Sequence, residues 1–326
     1  MMGPEPMVQP AAGVFPQRRF AATRISDAIA DQLRVAGGEG TVEGVHRSAL
    51  NIRLNGHLVT VAHESVGGLP NGILVDPPMA LDQIGVALGM PVQLDGASLR
   101  VPGASLTILL RGAATWSPAM PVVHALSQSA RHERAERAMR LAADGAPRVG
   151  LGPLVVGLVN EKASVGSLGR AAAGSLASVV EAFAKGSAAH AVAAAHPLIG
   201  LGPGATPSGD DLLVGLAAGL ATTNHPMARP FAVGVARQAA RMTTSVAESY
   251  LFYAGRLEFS ERVHSAALAV LTGPRHELRA AMHAALAWGA SSGADLMVGL
   301  LVGIEADAPN LVARLQACAR EKNVAA

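Results

Sequence analysis

Between about residues 23 and 117, apolar and polar positions alternate over short stretches. Val42–Arg47, Ala49–Leu54, His57–Ala62, Ile73–Val75, Pro91–Leu94, Leu99–Val101 and Leu106–Arg111 read as strands. The pair Asn55-Gly56 between two of them predicts a two-residue hairpin turn. Short strands at close spacing, with few intervening helices, predict a small β-barrel or sandwich. Residues 1–22 are rich in Pro, lack periodicity and read as a flexible tail. After Pro118 the period changes. Val122–Ala143 is helical with a charged face, and helices are predicted near 170–185, 187–195, 208–222, 228–254, 258–272, 275–288, 292–305 and 309–321. The expected fold is therefore α+β: a β-rich domain over 23–118, then an all-helical domain over 119–326 that carries the glycine-rich loops.

Composition narrows the function classes. Half of the 326 residues are hydrophobic and only 15% are charged, which supplies a large core and excludes disorder as the main state. Two Trp, two Tyr and six Phe leave the core to Ala, Val, Leu and Gly, the makings of closely packed helices. A net charge of +2 with no basic stripe argues against a nucleic-acid partner. The lone cysteine, Cys318, reads as a buried structural thiol. The N-terminus lacks an apolar stretch of signal-peptide length, and the runs Leu212–Thr223 and Leu296–Ile304 are too short to span a bilayer. A cytoplasmic location with no membrane association is expected.

The chemistry concentrates in two related segments. Ser208-Gly-Asp-Asp-Leu-Leu-Val-Gly-Leu216 and Ser292-Gly-Ala-Asp-Leu-Met-Val-Gly-Leu300 align without a gap, 84 residues apart, as S-G-x-D-L-x-V-G-L. Each has a Ser three residues before an Asp and ahead of an apolar run, the pattern of a helix N-cap with a reciprocating acid. Two well-capped helices with glycines for close packing would suffice to explain it. The approach to the first, Gly200-Leu-Gly-Pro-Gly-Ala-Thr-Pro-Ser-Gly209, spends more sequence than a cap requires. Its exposed backbone N–H groups lead into a helix N-terminus, where an anion is favoured. Of the two acids, Asp211 is expected to cap like its counterpart Asp295, leaving Asp210 to face a ligand.

Other motifs carry less. Gly204–Gly209 has P-loop spacing, but Asp210-Asp211 stands where Lys-Ser/Thr would hold phosphate and Mg2+. No buried strand precedes the loop, so a Rossmann site fails too. Gly289-Ala-Ser-Ser-Gly293 matches G-x-S-x-G but follows a helix rather than a strand. On a single helix 228–254, Arg237, Arg241, Ser245 and Glu248 would share one face beside Thr243 and Thr244, lining a pocket or forming an ordinary exposed ion pair. Gly255 reads as that helix's C-cap.

The segment Gly200–Gly215 closely resembles the signature of the AllH family, whose named member is the AllH subunit associated with oxamate carbamoyltransferase in anaerobic allantoin degradation. Thr243-Thr-Ser245 with Glu248, Gly255 and Glu258, the string Ser291-Ser-Gly-Ala-Asp295, and Gly68-Leu-Pro-Asn-Gly-Ile73 are similar to the family as well. Ala205 and Leu212 depart from it, standing where a larger aliphatic and Phe are usual. The resemblance implies carbamoyl transfer between carbamoyl phosphate and oxamate, giving oxalurate and phosphate, or the reverse, with other carbamoyltransferase subunits as partners. On that reading Gly202, Gly204 and Gly209 with the Thr206 and Ser208 hydroxyls bind phosphate, and Thr244, Ser245, Ser292 and Gly293 complete the substrate site. Arg241 neutralises the phosphate or holds the oxamate carboxylate. Asp210 assists proton transfer or binds a cation such as Mg2+. The alternative is a non-catalytic metabolite-binding or scaffolding subunit.

Overall fold

The computed structural model describes residues 17–34, 37–124 and 126–320. It divides into two compact units. One holds the described residues up to Ile25 with those of Ile29–Val66 and Gly72–Thr115; the other holds Ser26–Ala28, Gly67–Asn71 and the described residues from Trp116 onward.

The first unit is an eight-stranded barrel. Its strands are β1 (Arg18–Ser26), β2 (Gly38–His46), β3 (Ala49–Leu54), β4 (His57–His63), β5 (Gly72–Val75), β6 (Pro91–Leu94), β7 (Ser98–Val101) and β8 (Leu106–Leu109); β9 (Ala114–Trp116) adds to the outside of β1. The order β5-β4-β3-β2-β6-β7-β8-β1 closes through an antiparallel β1–β5 pairing. Closure depends on β1: Arg18–Ala21 pair in parallel with β8, and after an irregularity near Ala22, Arg24 and Ile25 pair with β5. The Asn55-Gly56 turn has both φ angles positive, 49° and 83°, as a two-residue hairpin of matching twist requires. It sets the β3–β4 register with Leu54 opposite His57. Leu50, Ile52, Val59, Val61, Ile73, Leu99 and Ile108 are buried. Sequence alone left barrel and sandwich open; a full ring of pairings makes it a barrel. Of the expected tail, residues 1–16 lie outside the described residues, while Arg18–Ala22 belong to β1. A short helix α1 (Asp27–Leu33) follows β1.

The second unit is helical: α2 (Gln128–Gly145), α3 (Gly152–Val159), α4 (Gly166–Ala184), α5 (Ala188–Ala195), α6 (Ser208–Thr222), α7 (Ala228–Ala239), α8 (Ser245–Gly255), α9 (Glu261–Leu271), α10 (Leu278–Leu286), α11 (Ser292–Ile304) and α12 (Leu311–Arg320). At its centre lie α6 and α11. Every residue of α6 is buried, and all of α11 except Ser292; the apolar runs after Asp211 and Asp295 account for most of this, and the acids of the first turns are buried with them. The remaining helices enclose this pair, and Cys318 is buried.

Two expectations are corrected. The helix over 228–254 is two helices broken at Ala240–Thr244, where Arg241 takes a left-handed φ of 64°. The break follows from Thr244, whose hydroxyl caps α8 by accepting the Ala247 N–H. The polar stripe of Arg237, Arg241, Ser245 and Glu248 therefore does not exist as one helix face. Gly255 is also not the C-cap; α8 runs through it, Arg256 follows as the cap, and the left-handed residue is Leu257 at φ 62°. Because Arg241 carries a side chain in the left-handed region, Arg241→Gly should stabilise the fold by about 0.5–1 kcal/mol, read as a rise in Tm.

Candidate functional site

α6 and α11 run parallel, N-terminus beside N-terminus, with the 84-residue repeat as their pairing register. A Cβ added at Gly215 would strike the Leu296 carbonyl oxygen, and one at Gly299 the Leu212 carbonyl oxygen. Gly219 and Gly303 make the same reciprocal approach, to the Leu300 and Leu216 carbonyl oxygens. The two copies of S-G-x-D are thus brought together at one end of the helical core.

There the serines do not cap their own helices. The N-cap of α6 is Pro207 and that of α11 is Ser291, and neither makes a side-chain cap bond. The hydroxyls reach across the helix pair instead: Ser292 lies against the Asp211 carboxyl, and Ser208 against that of Asp295. Thr206 joins them, its hydroxyl 2.9 Å from that of Ser292 and also against Asp211. The first serine of each helix thus faces the other helix's acid, and Ser291 joins Ser208 at Asp295 from its own helix's N-cap position.

Asp211 does not cap α6 as expected, and the two neighbouring aspartates differ in how their oxygens are engaged. Asp210 has both oxygens occupied, accepting the Gly200 N–H at 3.0 Å and the Thr243 hydroxyl. Asp211 and Asp295 each keep one oxygen, Oδ2, buried without a hydrogen-bond partner among the described residues. Burial raises all three carboxyl pKa values. For Asp211 the rise reaches about 7: desolvation dominates, the Ser292 and Thr206 hydroxyls oppose it, and the charges of Asp295 and Asp210 add to it. Tyr250 on α8 is pushed up to about 12 by burial and by the Asp211 charge, with Arg262 acting against both. The Arg262 guanidinium stands 5.7 Å from the Trp288 ring centroid.

The sequence reading missed one contributor that a search for short repeats would have found. Gly-Leu-Gly-Pro occurs twice, at 150–153 and at 200–203, and both first glycines are left-handed, at φ 58° and 71°. Each string delivers a backbone N–H to an acid of the cluster: Leu151 to Asp295 at 2.5 Å, and Gly200 to Asp210. Tyr250 and Arg262 were missed as well, because no local pattern marks them.

The other expected site residues divide by location. Gly209 and Gly293 spend their N–H groups on the Leu201 and Trp288 carbonyls, so they serve the turns that start the helices. Gly202 packs on Ser208, and Gly204 is exposed with φ 104°. Thr244 donates to the Ala205 carbonyl while capping α8, and Ser245 is the first residue of that helix, half-buried. Arg241 is exposed in the turn before α8. No group of three or more His, Cys, Asp or Glu that could hold a metal occurs among the described residues, and no helix there is long and apolar enough to cross a membrane.

A barrel of this kind joined to a helical unit centred on paired S-G-x-D helices corresponds to two known family domains. The model of the AllH family N-terminal domain matches residues 21–115, and that described as oxamate carbamoyltransferase subunit AllH matches residues 198–304. The chain belongs to the AllH family. No curated protein and no solved structure matches it.

Proposed function

We propose that this chain is a subunit of an oxamate carbamoyltransferase-like enzyme and binds a small substrate at the joined N-termini of α6 and α11. The observation that carries this reading is the convergence of both S-G-x-D segments on one cluster, within the stretch that the subunit's family model covers. The cluster has the properties of a reacting site: buried acids with perturbed pKa values beside half-buried hydroxyls. Two helix N-termini add positive potential for the carboxylate of oxamate or the phosphate of carbamoyl phosphate. In the reaction the oxamate nitrogen attacks the carbamoyl carbon, the carbon–oxygen bond to phosphate breaks, and the nitrogen gives up a proton. Asp211, ionising near neutrality, suits the role of proton acceptor better than Asp210, whose oxygens are engaged. Other subunits of such an enzyme would supply the rest of the site.

Calorimetric titration of the full chain with oxamate and with carbamoyl phosphate tests this reading. Binding of at least one is expected, falling tenfold or more in Gly204→Val. That residue has φ 104° and open space around it, so valine there distorts the loop while sparing the core. Absence of binding by either ligand would remove the proposal.

A further inference from the structure

The hydroxyls and amides around the α6/α11 N-termini are largely spent within the protein. Thr206 and Ser292 bond to each other and lie against Asp211, Ser208 and Ser291 lie against Asp295, Thr243 and the Gly200 N–H bond to Asp210, and the Leu151 N–H bonds to Asp295. What the cluster leaves over are acceptors: Oδ2 of Asp211 and Oδ2 of Asp295, in residues 6% and 0% exposed. Half-buried hydroxyls stand beside these acids, Thr206 and Ser292 at Asp211 and Ser291 at Asp295. A buried acceptor without a donor is costly, and a phosphate or second carboxylate placed against it adds like-charge repulsion. A ligand –NH2 group does the opposite, because it offers two donors and no negative charge.

We propose that Asp211 and Asp295 are the specificity-determining residues of this site, and that their free Oδ2 atoms accept the N–H groups of a primary amide or carbamoyl group. Resting on the function proposed above, this assigns the substrate's nitrogen end to the acid pair and leaves its anionic end to the exposed side of the loop. The pairing of the two helices gives each acid the same task on its own side.

Oxamate and oxalate form the deciding pair of probes, since they differ by a single –NH2 in place of –O⁻. In titrations of the full chain at pH 7, oxamate should bind at least tenfold more tightly than oxalate. Asp211→Asn should lower oxamate affinity by tenfold or more and bring the ratio towards or below one, because the Asn amide presents donors to a carboxylate. Asp295→Asn should shift the ratio the same way. Thermal unfolding of each variant verifies that it is folded, and the wild-type ratio is informative without any variant. Equal or tighter binding of oxalate by the wild type would overturn the assignment while leaving the substrate site in place. Failure to bind either probe would overturn the assignment, and the substrate site falls with it only if carbamoyl phosphate also fails to bind.

Discussion

Replacing Gly299 by valine is expected to unfold the helical unit or to lower its Tm by about 10 °C or more. Built on the existing backbone, a Cβ at this position runs into the Leu212 carbonyl oxygen and comes within 2.6 Å of the Leu216 nitrogen. Both obstacles are main chain, so no rotamer change relieves them. Gly215 makes the reciprocal approach to Leu296, and Gly219 and Gly303 continue it along both helices. Separating α6 from α11 would open voids around two helices that are buried nearly throughout, at a cost upward of about 3 kcal/mol. That is a large share of the roughly 5–15 kcal/mol that holds a typical domain folded. Gly174→Ala is the control. It sits on α4 with its nearest neighbour, the Ala319 Cβ, at 3.8 Å, and should stabilise by about 0.5–1 kcal/mol through helix propensity. Thermal melts of the two variants beside the wild type decide the matter: an unchanged Gly299→Val would mean that the two backbones do not touch.

The second large effect is a stability that declines as pH rises. The Asp211 carboxyl has an ordinary value of 3.8 and a folded value of about 7, so the folded chain holds this proton more tightly than the unfolded chain does. Stability from this group is full below about pH 4 and is lost progressively towards pH 7, by an amount on the order of 4 kcal/mol. Asp210, Asp295 and Glu305 are raised by burial as well and act in the same direction. Asp211→Asn removes the titration while keeping the volume. Relative to the wild type the variant should gain stability between pH 5 and pH 8, and its pH profile should be distinctly flatter. Urea unfolding at the two pH values measures this, and parallel profiles for the two proteins would show that Asp211 is ionised throughout.

Several elements were legible because their signals are local. Asn55-Gly56 dictates its hairpin through the φ angles it tolerates, and the register of β3 and β4 follows. The uncharged runs of α6 and α11 could only be buried, and they form the centre of the helical unit. Elements whose signals are weak or distant were lost. Gly152–Val159 is one short helix with two glycines inside it and no polar face to reveal a period, and it was not expected. β1 lies in what reads as a tail, because its pairing partners are β8 and β5, far along the chain. The break at Ala240–Thr244 was hidden by good helix formers on both sides, and the Thr244 cap decides it.

Two copies of S-G-x-D opening two apolar helices, and glycines placed to let those helices pack closely, are readable from residue order. The tertiary structure alone decided what each of them does. A serine three residues before an aspartate looks the same whether it caps its own helix or serves the acid of a neighbour 84 positions away. Only when the glycines let α6 and α11 meet in parallel do Ser208 and Ser292 find the opposite acids. Burial then does the rest: Asp210 is satisfied by Gly200 and Thr243, while Asp211 and Asp295 keep an acceptor in reserve. Hydrogen-bond partners in a buried cluster are set by which backbones are close, and closeness across 84 residues is not written in any local pattern.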